Sequence, residues 1–136
     1  MTHYLIPTSE LREIVNPLDG TMWKCAPIDE SEVLAAVKAG ADELRVWENV
    51  IREIPHAEHR DFHINRIATM LRQNVSIDRV ILVLENHTAE VRAYLNDGNH
   101  RLAAAYIRGD RAVRALIAAA DPAGIPNVLP GATAVD

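Results

Sequence analysis

The sequence predicts a small α/β protein of the α+β kind, a mixed sheet with flanking helices, and three observations carry that expectation. Val80-Ile81-Leu82-Val83-Leu84 is an unbroken aliphatic run of strand length, the mark of a strand buried on both faces. Val91, Ala93 and Leu95 then alternate with Glu90, Arg92 and Tyr94, the period of a second strand pairing with the first as a hairpin. On either side of this pair apolar residues recur three and four apart, the period of amphipathic helices.

From the N-terminus, Leu5-Ile6-Pro7 reads as a strand end, and Thr8 or Ser9 is placed to cap a short helix bearing Leu11, Ile14 and Val15. Asn16-Pro17-Leu18-Asp19-Gly20 is a turn closed by Asp-Gly. Trp23 and Cys25 follow in a connection and read as packing residues, because a lone cysteine without a matched histidine and acid is a weak nucleophile signal. Asp29 and Glu32 have capping-box spacing and open a helix that ends at Gly40. Leu44, Trp47, Val50, Ile51 and Ile54 mark a second helical stretch stopped by Pro55, and the acids along both read as a solvated face. His56, His59 and His63 fall three and four apart, a spacing that on a helix suits a zinc ion, although the segment follows a proline and carries no recognised zinc signature. Phe62 to Gln73 is a clearer helix, with Ile64, Ile67, Ala68 and Leu71 expected to cover one face of the sheet. After the hairpin, Leu102, Ala103, Tyr106 and Ile107 form the apolar side of a helix that Gly109 stops. Residues 111–118 suit helix or strand, alanine favouring one and Val113, Leu116 and Ile117 the other. With three prolines and two glycines, residues 121–136 read as a loosely held, flexible C-terminal tail.

At 136 residues the chain has the length of one domain, and its 49% hydrophobic share suits a soluble globular protein. No stretch approaches the roughly 20 apolar residues of a membrane span. The N-terminus lacks a basic start followed by an apolar segment, and the lone cysteine cannot close an internal disulfide, so a cytoplasmic location is expected. A net charge of −5 argues against nucleic-acid binding driven by bulk charge. Arg101, Arg108, Arg111 and Arg114 against Asp110 nonetheless give the segment 100–114 a local charge of +3.

The chemistry concentrates in Asp97-Gly98-Asn99-His100-Arg101, where the second strand passes into a helix. Gly98 permits a backbone shape that other residues resist, Asn99 caps well, and a helix start attracts anions. His100 and Arg101 add donors for phosphate, and Asp97 is a candidate metal ligand or proton acceptor. The same residues also make an ordinary turn with a helix cap, and most such turns bind nothing.

The run from Tyr94 to Gly109, centred on Asp97-Gly98-Asn99-His100-Arg101, resembles the signature segment of the ParB/sulfiredoxin-like superfamily. The resemblance covers about residues 60 to 118, and Leu5 to Leu11 resembles the family's first strand and following turn. It implies a strand over 111–118, one domain over residues 1–120, and a helical insertion at about 28–55. Sulfiredoxins place a cysteine where this chain has Asn99, which removes the thiol route. Partition proteins carry a Gly-Glu-Arg-Arg pattern and a later helix-turn-helix domain, neither of which is present in this sequence. The nearest form is the Asp-Gly-X-His-Arg of the kinase-like branch that acts on free serine. By that resemblance Gly98, Asn99, His100 and Arg101 would bind the phosphates of ATP or CTP with Mg²⁺. Asp97 and His100 would assist catalysis, Asp97 as the metal ligand, with Glu10 as a second acid. Phosphoryl transfer needs charge neutralisation and positioning more than a nucleophile, so hydrolase or phosphotransferase chemistry is within reach of so small a set. The alternatives are a nuclease or DNA-processing protein, and a noncatalytic phage or plasmid accessory module that contacts a protein partner through the acidic insertion or the tail.

Overall fold

A computed structural model describes residues 2–78, 80–87 and 90–135, with the backbone alone at 86–87, 90–92, 94 and 96–97. The elements, in chain order, are β1 (Thr2–Pro7), α1 (Thr8–Ile14), α2 (Glu30–Lys38), α3 (Trp47–Glu53), α4 (His59–Arg72), β2 (Val80–His87), β3 (Glu90–Asp97), α5 (Asn99–Arg108), β4 (Ala112–Ala119), α6 (Ile125–Val128) and β5 (Thr133–Ala134). The mixed α/β class expected from the sequence is the one found. The chain divides into two compact units, one of Met1–Asn16 with Ser76–Asp136 and one of Pro17–Val75.

The first unit is built on a five-stranded sheet in the order β3-β2-β4-β1-β5. β2 pairs antiparallel with β3 and parallel with β4, and β1 runs antiparallel to β4. The register puts Ile6, Val113, Ala115, Ile117, Val80 and Leu82 on one face, and all six are buried. α5 packs against β2 and contributes Leu102, Ala103 and Tyr106 to the core. The aliphatic run of β2 is therefore buried on one face only: Ile81 and Val83 are half-buried, and Leu5 beside β4 is 44% exposed. An unbroken apolar run fixes a strand but not the covering of its second face.

Residues 111–118, ambiguous by composition, form strand β4. The expected loose tail is instead ordered. Ile125 and Leu129 are 3% and 0% exposed, and β5 pairs with β1 across Tyr4↔Ala134 and Leu5↔Thr133. The prolines and glycines shape its turns, while these two aliphatic side chains anchor it.

The second unit is helical and runs from 17 to 75, longer at both ends than the insertion expected at 28–55. The Asp29–Glu32 capping box opens α2. α4 packs on α2, and Arg60 locks the pair by donating to Glu32 and to the Ala26 and Pro27 carbonyls. Arg66 and Arg72 donate to the carbonyls of Glu43 and Ala41, tying down the segment before α3. The acidic face is thus partly neutralised from within, since Glu32 pairs with Arg60 and Glu43 with Arg45. Among the described residues no helix is long and apolar enough to cross a membrane.

Candidate functional site

β1 and β3 both run opposite to β2 and β4, so both end at the same edge of the sheet. At that edge β1 passes from Pro7 into α1, and β3 passes from Asp97 through Gly98 into α5. Two intervening strands separate the junctions, three spacings or about 14 Å. The edge also carries Asp78 before β2 and Arg111 before β4, whose carbonyl accepts from the Thr8 amide at 2.9 Å.

Gly98 turns the chain with φ of 91°, in the left-handed region that glycine enters without strain. It is itself the N-cap, and no side chain caps the helix; Asn99, expected to cap, is instead the first helical residue. A residue in the helix cannot also take the extended backbone of a cap. The Asn99 Oδ1 is left buried with no hydrogen-bond partner among the described residues, as is the Thr8 Oγ1 at the start of α1. Buried polar atoms without partners are rare in folded proteins, and each calls for an explanation.

Arg101 reaches Asp78 at 3.4 Å, a long contact between partly exposed groups. Arg108 is held by Asp110 at 2.7 Å, so two of the four arginines behind the local +3 charge face acids. Tyr106 donates its hydroxyl to the Val15 carbonyl at 2.8 Å, linking α5 to the end of α1. Burial pushes the Tyr106 phenol well up, so it stays protonated and remains a donor.

No family model, curated protein or solved structure matches this chain. The site must therefore be weighed on its own geometry. Gly98, Asn99, His100 and Arg101 do stand together at the start of α5. Asp97 ends β3 beside them, and its side chain lies outside the described residues. Glu10 sits in the first turn of α1, where its Oε1 accepts from the Gly131 amide at 2.8 Å, so its carboxylate holds the C-terminal segment.

Among the described residues no group of three His, Cys, Asp or Glu stands ready for a metal ion. Mg²⁺ in nucleotide sites takes most of its ligands from phosphates and water. Of the three histidines whose spacing suits a zinc ion on a helix, two are engaged in aromatic packing. His63 is fully buried and stacks on Trp23 at 4.0 Å, and His59 meets the edge of Trp47 while its Nε2 lies 2.8 Å from the Ile54 carbonyl. Sequence reasoning missed Thr8 as more than a cap, and Asp78 altogether. The available signal was that two strands running in one direction must deliver their following helices to one edge.

Proposed function

We propose that this protein binds a nucleotide along the sheet edge between α1 and α5 and acts on its phosphates, in keeping with its resemblance to the ParB/sulfiredoxin-like superfamily. The observation that carries the reading is a pair of buried polar atoms, Thr8 Oγ1 and Asn99 Oδ1, one at each end of that edge and neither with a hydrogen-bond partner among the described residues. Phosphate oxygens only accept hydrogen bonds, which suits the Thr8 hydroxyl, the start of α5 and Arg101. Asn99 Oδ1 also accepts, so it calls for a donor such as a ribose hydroxyl, which inorganic phosphate lacks and a nucleotide has. Arg101 exchanges the long contact with Asp78 for phosphate, a stronger charge-assisted bond. A ligand reaching both junctions spans about 14 Å, a nucleoside polyphosphate's scale.

The experiment is a calorimetric titration of the folded protein with ATP, CTP and ADP, each with and without Mg²⁺. Binding of at least one is expected, weakened about tenfold or more in Arg101→Ala, the worth of one bond to a charged group, and unchanged in Arg52→Ala. Failure of all three nucleotides to bind a folded sample contradicts the reading.

A further inference from the structure

Thr8 stands opposite Arg111. The last strand pair of β1 and β4 is Pro7↔Ala112, and the Thr8 amide donates to the Arg111 carbonyl at 2.9 Å, which carries the antiparallel ladder one step past the strands. Residues directly opposite in such a ladder share a face, their Cβ atoms roughly 5 Å apart. Alternation from Ile6 and Val113 gives this pair the core face of the sheet, the one on which α5 packs.

Arg111 is exposed, and its guanidinium meets no partner among the described residues. Asp110, beside it in sequence, pairs with Arg108; Asp78, on the same edge, faces Arg101; and Glu10 takes the Gly131 amide. The charge of Arg111 is therefore set beside the Thr8 hydroxyl, which is buried and has no partner among the described residues. A cation and a hydroxyl donor side by side suit a single phosphate group, whose oxygens accept from both. β4 lies two strands from β3 and β1 three, so the pair stands about 10 to 14 Å from the start of α5. A ligand held at Asn99 and Arg101 by its ribose and first phosphate reaches that far only with the phosphates beyond.

We propose that the α1–α5 edge selects nucleoside triphosphates, the terminal phosphate lying on the Arg111 guanidinium and the Thr8 hydroxyl; this rests on the reading that a nucleotide binds along that edge. A monophosphate satisfies the α5 end alone. The test is calorimetry of the folded protein with the mono-, di- and triphosphates of adenosine and cytidine at a single Mg²⁺ concentration. Affinity should rise with each added phosphate, the triphosphate binding about a hundredfold more tightly than the monophosphate, the worth of two bonds to a charged group. Arg111→Gln should weaken the triphosphate about tenfold and leave the monophosphate unchanged, as should Thr8→Val, whereas Arg101→Ala should weaken both. Arg114→Gln removes the same charge from the other face of β4, opposite the exposed Leu5, and should change neither. Because Arg111 is exposed, the urea transition of its variant should match the parent's, which separates lost binding from a lost fold. A triphosphate bound no better than the monophosphate, an Arg111→Gln loss shared by the monophosphate, or equal losses in Arg111→Gln and Arg114→Gln each overturns the proposal and leaves nucleotide binding standing. If no nucleotide binds the folded protein, both fall.

Discussion

Buried threonines in the two units are treated differently. In the helical unit Thr69 is fully buried, yet its Oγ1 donates to the Asn65 carbonyl and accepts from the Glu43 amide, both at 2.7 Å. His59 meets the Ile54 carbonyl, and Arg60, Arg66 and Arg72 each close a loop by donating to main-chain carbonyls. In the sheet unit Thr8 is nearly as buried, at 9% exposure, and its hydroxyl meets no partner among the described residues, nor does Asn99 Oδ1 at the other end of the same edge. The same residue type thus serves the fold in one place and costs it stability in the other. An atom that destabilises the unliganded protein is understandable where a ligand completes it.

Built-in reporters allow the comparison to be tested. Both tryptophans, Trp23 and Trp47, lie in the helical unit, whereas Tyr4, Tyr94 and Tyr106 all lie in the sheet unit. The largest expected effect is Trp23→Ala. It removes a 4%-exposed ring stacked on His63 and should cost about 3–5 kcal/mol in urea unfolding followed by Trp47 fluorescence. Next comes Gly131→Ala, because a Cβ there would lie 2.8 Å from Pro7 Cγ and closer still to the Glu10 carboxylate. It should cost about 1–3 kcal/mol in the tyrosine-detected transition and loosen β5 in amide exchange.

The smallest effect is an acid dependence confined to the helical unit. Hydrogen bonding from Arg60, and then from the Asp29 amide, holds the Glu32 carboxyl below the usual carboxylate range. A lowered folded value means the pair stabilises fully above about pH 4, where an unfolded glutamate is ionised, and is lost as pH falls through the folded value. Glu32→Gln should flatten that acid limb in the tryptophan signal and leave the tyrosine signal unchanged.

Much of the sheet unit was legible because its signals are local. The aliphatic run, the alternation after it, Gly98 and Gly109 each specify backbone shape within a few residues, and β2, β3 and α5 fall where those signals put them. The role of the C-terminal segment was not legible, since Gly131 is bonded by Glu10, 121 residues earlier, and β5 pairs with β1 at the other end of the chain. The three-and-four spacing puts His59 and His63 on α4, but their surroundings are set by Trp23 and Trp47, distant in sequence. At the candidate site the motif was visible, while its second half at Thr8 emerged only from strand direction.

The central claim is that Thr8 is kept for a ligand and Thr69 for the fold, and one paired measurement tests it. Thr8→Val and Thr69→Val make the same chemical change, and both are compared with the parent in urea unfolding read by tyrosine and tryptophan signals. Thr69→Val should lose about 1–3 kcal/mol by stranding the Glu43 amide. Thr8→Val should lose nothing or gain up to about 1 kcal/mol while weakening nucleotide binding. A Thr8→Val variant that is destabilised as much as Thr69→Val and binds nucleotide as the parent does would contradict the account.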